Sequence, residues 1–389
     1  MADCDCSYAA LIEPLRPTPS ARVFGLAARE RLRPSFAKSG LEIVAADDLA
    51  KLGERRVLAL DASHFYDDRL IVELKKRSGD VLLVSVDGDA APVAVGVAAS
   101  ASRVGSALSL LRRCTDPCET ARAAGLEMVH PTDVVPLFDA KLRKISKPFV
   151  LPANPERIDE IENRIFDASY KGVTDFVTKW VWPLPARIVT GWCARSGISP
   201  NAITSLSYLL TVVTLVAFWQ GAFGLGLVSA WLMTFLDTVD GKLARVTLTT
   251  SRIGDVLDHG LDLVHPPFWW AAWGAGLAGS GTLFGEYEAW VLVVFTGYFA
   301  GRLLEGLFIL AFSQEMFTWR PFDLAFRLVI ARRNPNLVLL SGATIIGRPD
   351  LGLVALGIWT LACILIQVVR IAQATACRLR GHAILPFSE

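Results

Sequence analysis

From Ser205 to Leu236 the chain carries no charged side chain. A helix of thirty-two residues would be about 48 Å long, well over the roughly 30 Å hydrocarbon core of a bilayer, so the run must fold back on itself. Gly221, Gly224 and Gly226 mark the turn. Net charge is also lacking: 39 Lys+Arg against 38 Asp+Glu leave +1, which argues against nucleic-acid binding, since that needs a basic stripe. The seven cysteines show no paired CxxC and no His-rich zinc spacing. Cys4-x-Cys6 and Cys114-xxx-Cys118 leave metal binding open beside the plainer reading of thiols in a reducing cytosol. The start, MADCDCSYAA, lacks the basic segment and apolar run of a signal peptide, so the first 200 residues are expected to stay cytoplasmic.

What is present is apolar: 52% of the residues are hydrophobic. Residues 1–200 hold 53 charged side chains and residues 201–389 only 24, so the two halves are expected in different solvents. Uncharged runs recur at Leu263–Gly285, Ala289–Gly301, Gly306–Gln314, Asn336–Gly347 and Leu351–Val369. The pattern predicts a polytopic α-helical membrane domain of six transmembrane helices, near 205–220, 225–244, 254–279, 288–313, 334–348 and 351–373. With a cytoplasmic N-terminus, Lys242, Arg245, Arg252, Arg320, Arg327, Arg332, Arg333, Arg378 and Arg380 fall on the inner side. Glu286, Glu288, Arg348 and Asp350 fall on the other, as the positive-inside rule requires. Both termini are then cytoplasmic, and an inner (cytoplasmic) membrane is the expected location.

The N-terminal half reads as a small cytoplasmic α/β domain over 1–145. Val57–Asp61 and Val81–Val86 are strand-like, a helical pattern covers Asp68–Arg77, and a third strand-like run covers Pro92–Ala98. No Gly-rich phosphate loop follows a strand, and Gly53 and Gly79 stand alone. Ligand binding and a scaffold or regulatory role both stand open there. Residues 146–200 read as a linker with Pro148, Pro152 and Pro155, followed by an interfacial helix whose Trp180 and Trp182 face lipid headgroups or anchor a neighbouring span. Residues 201–375 make the membrane domain and 376–389 a cytoplasmic tail.

Ionisable groups at membrane depth are costly and point to function. Asp237 and Asp240 are three apart and Asp258 and Asp262 four apart, so each pair lies on one helical face. Four converging carboxylates repel unless a cation neutralises them. Hard oxygen ligands suit Mg²⁺, Mn²⁺ or Ca²⁺, and the cluster invites a substrate diphosphate. Gly241 and Ala244 keep the helix surface open, Arg245 can reach phosphate oxygens, and Gly254 admits a nucleotide or the next helix. For any single Gly or Ala the plain alternative is helix packing.

The string Asp237-xx-Asp240-Gly241-xx-Ala244-Arg245-x8-Gly254-xxx-Asp258-xxx-Asp262 resembles the full signature of the CDP-alcohol phosphotransferases (CDP-alcohol phosphatidyltransferases). Ile198-Ser-Pro200-Asn201-Ala-Ile-Thr204 resembles the segment preceding that family's first span, and the resemblance covers about 165–375. It implies transfer of a phosphoryl-alcohol from a CDP-alcohol donor to an alcohol acceptor with release of CMP, in phospholipid biosynthesis. It further implies that Asp237, Asp240 and Asp258 ligate Mg²⁺ or Mn²⁺. Asp262 is then the general base and a further metal contact, and Gly241, Ala244, Arg245 and Gly254 face the CDP moiety. Some members carry an N-terminal nucleotidyltransferase, and the α/β domain resembles a degenerate version without its Gly-rich loop.

Arg302, Arg332 and Arg333 are candidate acceptor-binding residues. Against that, Arg302 and Glu305 can simply pair, and Arg332 and Arg333 can serve as a topology-setting cluster. His259 lies beside Asp258, and His265 precedes Pro266-Pro267 in what reads as a kinked, packed helix. Gly297-xxx-Gly301 permits close helix contact, within a protomer or across a homodimer. Membrane lipid is an expected partner. Two rivals stand: synthesis of a soluble polyol phosphodiester from a CDP-polyol, and a cation or proton transporter using the same carboxylates.

Overall fold

The computed structural model describes residues 8–13, 15, 21–87, 91–113, 116–139, 142–249, 252–279 and 283–387, without the side chains of 252–259, 261 and 262. Cys4, Cys6 and Cys114 lie outside these residues. Cys118 is an exposed free thiol. The chain forms two compact units, Met1–Asp139 with Ile145–Ser169 and Val246–Leu248, and Ala140–Lys144 with Tyr170–Arg245 and Thr249–Glu389.

The first unit is built on a six-stranded mixed sheet. Its strands are β1 (Ala9–Glu13), β2 (Glu42–Ile43), β3 (Arg56–Asp61), β4 (Val81–Ser85), β5 (Val93–Ser100) and β6 (Glu127–Val129), in the spatial order β2-β1-β3-β5-β4-β6. β1 runs parallel to β2 and β3, β5 is antiparallel to β3 and β4, and β6 is parallel to β4. Both faces are covered, which is why the strands read as continuous apolar runs. Ile12, Leu58, Leu60 and Leu83 pack under helices α1 (Ala28–Lys38) and α2 (Asp68–Lys76). Leu11, Val57, Leu82 and Val97 pack under α3 (Ala101–Leu111) and α4 (Pro117–Ala124). Gly96 allows the close approach of β5 to β3, since a Cβ there would stand 2.6 Å from Leu60 Cδ2. Asp67 caps α2 by accepting from Arg69 N. Helix α5 (Ile158–Ala168) belongs to this unit through Phe166, whose ring lies 6.5 Å from that of Phe24.

The second unit is helical: α6 (Pro183–Arg195), α7 (Pro200–Trp219), α8 (Phe223–Val246), α9 (Arg252–Ala278), α10 (Glu288–Phe312), α11 (Pro321–Val329), α12 (Arg333–Ile345) and α13 (Pro349–Leu379). Among the described residues four stretches are long and apolar enough to cross a membrane: Pro200–Trp219, Phe223–Val246, Gly285–Phe312 and Pro349–Leu379. Two of the six expected spans are not among them. α9 carries Asp255, Asp258 and Asp262 in its first half, and the 13 residues of α12 make about 20 Å of helix, short of a bilayer core.

Ser199 caps α7, and the chain reverses after it at Gly221, whose φ is +74°. α9 closes on this turn because a Cβ at Gly276 would lie 2.0 Å from Phe218 O. Trp269, Trp270 and Trp273 of α9 are fully buried, and Trp269 Nε1 donates to Thr211 O at 3.1 Å. Trp273 Nε1 donates to Pro349 O, also at 3.1 Å, so their rings give the bundle an anchored centre with two indole polar handles satisfied. His265 is buried with its ring 4.6 Å from that of Trp269, in a helix that runs through Pro266 and Pro267. Gly297 and Gly301 pack within the protomer: a Cβ at Gly297 would meet Thr360 Cγ2 at 2.5 Å, and one at Gly301 would meet Gln367 Oε1 at 3.2 Å. Trp182 packs edge-on to Phe235 at 5.2 Å, while Trp180 is exposed.

Candidate active site

The last three turns of α8 place Asp237, Asp240, Gly241, Ala244 and Arg245 at spacings of three, four, seven and eight, a single helical stripe. Asp240 is buried and its Oδ2 accepts from Thr204 Oγ1 at 2.7 Å. Thr204 is the last residue of the Asn/Thr segment before the first span, so the fold joins two motifs that are 36 residues apart. Asp237 Oδ2 accepts from Arg333 Nη2 at 2.5 Å. Backbone geometry carries Asp258 and Asp262 on α9, but their side chains, and the surroundings of Gly254 and His259, lie outside the described residues. Among the described residues no three His, Cys, Asp or Glu side chains gather into a metal-holding group.

A cavity of about 530 Å³ opens beside the stripe. Asp237, Gly241, Arg245, Arg302, Arg332 and Arg333 all line it, whereas Ala244 does not. At Gly241 a Cβ would meet only the end of the Arg245 side chain, at 3.8 Å, so helix packing does not require glycine there. Arg302 and Arg332 both donate to Glu305 Oε2, at 3.3 and 2.5 Å. The pairing and the cavity-lining readings of Arg302 therefore hold together.

Other lining residues were not among the expected site residues: Arg143, Lys171, Asp175 and Asn334, and Lys242 and Arg327, which were read only as inner-side charges. Lys242 is buried with Nζ 3.4 Å from the Tyr170 ring centroid. Asn334 Nδ2 donates to Asp175 Oδ1 at 3.0 Å and to Thr178 Oγ1 at 3.2 Å. The described lining thus holds eight cationic side chains against two acidic ones. Burial, reinforced by the neighbouring Arg332 charge, pushes the Arg327 guanidinium down to about 9, which still leaves it cationic at neutral pH. Lys242 stands on α8 and Arg327 in the last turn of α11, while Arg143, Lys171 and Asp175 come from the chain before α6 and Asn334 from the start of α12.

A cavity with cations around a carboxylate stripe suits a polyanionic substrate, and the oxygen donors of Asp237 and Asp240 fit a hard divalent cation. Residues 197–330 match the family described as CDP-alcohol phosphatidyltransferase. The chain is 27% identical over 134 residues to cholinephosphotransferase 1 of Gallus gallus, covering 32% of this chain and 39% of the relative. It is 30% identical over 116 residues to the phosphatidylinositol phosphate synthase of Streptomyces avermitilis, covering 30% and 40%. It is 37% identical over 70 residues to the archaetidylinositol phosphate synthase of Pyrococcus horikoshii, covering 18% and 37%. The chain spans about two fifths of the length of these curated relatives. The motif stripe lies inside the matched segment, so residues 197–330 are similar to the CDP-alcohol phosphatidyltransferase family at the helix that borders the cavity.

Proposed function

We propose that this protein is a membrane-embedded, divalent-metal-dependent transferase that moves a phosphoryl-alcohol group from a CDP-alcohol to an acceptor hydroxyl, with release of CMP, in phospholipid synthesis. The observation that carries it is the stripe Asp237, Asp240, Gly241 and Arg245, inside the matched segment and on the edge of a cation-lined cavity. Asp237, Asp240, Asp258 and Asp262 would hold Mg²⁺ or Mn²⁺, which supplies charge neutralisation at the diphosphate. Thr204 and Arg333 orient Asp240 and Asp237 by the bonds described. Arg245 faces the donor phosphates across Gly241, and Gly254 completes the CDP groove, with Ala244 behind the lining rather than on it. The acceptor oxygen forms the new P–O bond, the P–O bond to CMP breaks with its electron pair leaving on CMP, and the acceptor proton passes to the Asp262 carboxylate.

The same reading places six helices across an inner (cytoplasmic) membrane with both termini inside, the α/β region of 1–145 as a degenerate nucleotidyltransferase, and an interfacial helix within 146–200. A homodimer is part of this reading. The test is CMP release by the purified full-length chain from CDP-diacylglycerol or a CDP-polyol. Release that stops with EDTA and returns with Mg²⁺ or Mn²⁺ supports it. A metal-independent ion flux in vesicles without CMP release would instead favour a transporter.

A further inference from the structure

Arg143 lines the cavity from a segment that precedes the matched residues 197–330. Residues 140–144 and 170–245 belong to the same compact unit, so this segment and the cavity share one body. Arg143 has a φ of +54°, a conformation that L residues keep only where neighbours hold it. Gly172 supplies the hold. Its N donates to Leu142 O at 2.7 Å, and a Cβ there would collide with Arg143 O and stand 2.7 Å from Lys144 Cβ. The backbone of residues 142–144 is thus seated on Gly172, and the Arg143 side chain is the part left to move. Its guanidinium pairs with Glu315, between α10 and α11, with 39% and 32% of the two side chains exposed. Glu315 is not among the described lining residues, so it holds the guanidinium from outside the cavity. A pair exposed to this degree is weak and opens readily. A phosphate offers the same guanidinium a forked, charge-assisted contact that is stronger.

We propose that Arg143 is an anion-capturing residue at the rim of the cavity, held on Glu315 and passed to a phosphate group of the substrate as it enters. Loading the cavity then breaks the Arg143–Glu315 pair, and Gly172 is a positioning residue that fixes where the arm is rooted. The phosphate is carried either by the donor diphosphate or by a phosphorylated acceptor. That identification rests on the transferase reading above, while the exchange of partners stands on the geometry. The plain alternative is a structural ion pair, and the two differ in sign. Losing either partner of a structural pair weakens the fold or changes nothing, whereas an exchange is harmed by losing Arg143 and helped by losing Glu315.

The test is calorimetric titration of the full-length protein in detergent with Mg²⁺, using CDP and glycerol 3-phosphate as separate probes. Arg143→Gln should weaken binding of one probe at least about 10-fold, the scale of one charge-assisted contact, and the probe that moves names the source of the phosphate. Glu315→Gln should tighten binding of the same probe about two- to fivefold, the scale of an exposed pair. That gain should vanish in the Arg143→Gln background, because Glu315 acts through Arg143. Gly172→Ala, which unseats residues 142–144, should weaken the same probe, and Arg143→Lys should fall between the wild type and Arg143→Gln. Shifts of the same sign in Arg143→Gln and Glu315→Gln would overturn the exchange, as would a Glu315→Gln gain that persists without Arg143 or affinities that move for neither probe. CMP release by a protein with unmoved affinities would leave the transferase reading standing without the exchange. Opposite shifts without CMP release from any pair would keep the exchange and sink the transferase reading.

Discussion

Arg333 Nη2 and Asp237 Oδ2 are 2.5 Å apart across 96 residues of chain, with 15% of each side chain exposed. The first carboxylate of the motif is thereby held by a cation from the start of α12. Asp237→Asn keeps the shape and removes the charge. CMP release should fall at least about 100-fold, because charge stabilisation at a transferred phosphate is worth several kcal/mol, while size-exclusion elution stays unchanged. Turnover near that of the wild type would remove Asp237 from the site.

The Gly297–Thr360 contact predicts a packing phenotype. Gly297→Val pushes a side chain into Thr360 Cγ2 and into Ile364 Cδ1, 3.2 Å from an added Cβ. Thermal unfolding in detergent should report a loss of about 1–3 kcal/mol, typical of overpacking. Oligomeric state by light scattering should not move, since this face is already filled within the protomer.

Asp323 and Arg370 form a buried bidentate pair, Nε to Oδ1 at 2.6 Å and Nη2 to Oδ2 at 2.7 Å, with the Arg370 guanidinium 4.6 Å from the Trp319 ring. Removing one partner strands the other. Asp323→Ala should cost about 3–5 kcal/mol by denaturant or thermal unfolding, and the double change Asp323→Leu with Arg370→Met should recover much of it. Equal losses in the single and double variants would contradict that account.

Asp61 closes the end of β3. Burial raises its pKa, but the hydrogen bonds and charge from His64 and the bonds from Ser63 outweigh that and leave it below the ordinary 3.8. A folded-state pKa below the unfolded one stabilises above the unfolded value, and that stability is lost as pH falls through the folded value. Amide exchange over residues 56–66 of the full chain should therefore quicken selectively below about pH 4. In Asp61→Asn this acid-dependent step should be absent.

Strands β3 and β4, helix α2 and the carboxylate stripe were legible from the residues, because each follows a local period. β1, Ala9–Glu13, was not: five residues carry little pattern, and its partner Val57 lies 48 positions from Ala9. The role of Gly297-xxx-Gly301 was open in the sequence because the motif states only that something comes close. Residues Thr360 and Gln367 of α13 are what does. Arg302 and Glu305 were readable as a pair at a spacing of three. That Arg332 joins them depends on the loop before α12, which no period encodes.

Helical periodicity alone put Asp237, Asp240, Gly241 and Arg245 on one face, since the 3.6-residue repeat is a property of the backbone and needs no neighbours. The same arithmetic separated a charge-poor half from a charge-rich one. Only tertiary structure brought Asp175 of the segment before α6 against Asn334 of α12, and set Arg327 and Arg332 over one Phe317 ring. Those meetings depend on how separate helices pack, and packing between elements distant in sequence leaves no repeat in the chain to read.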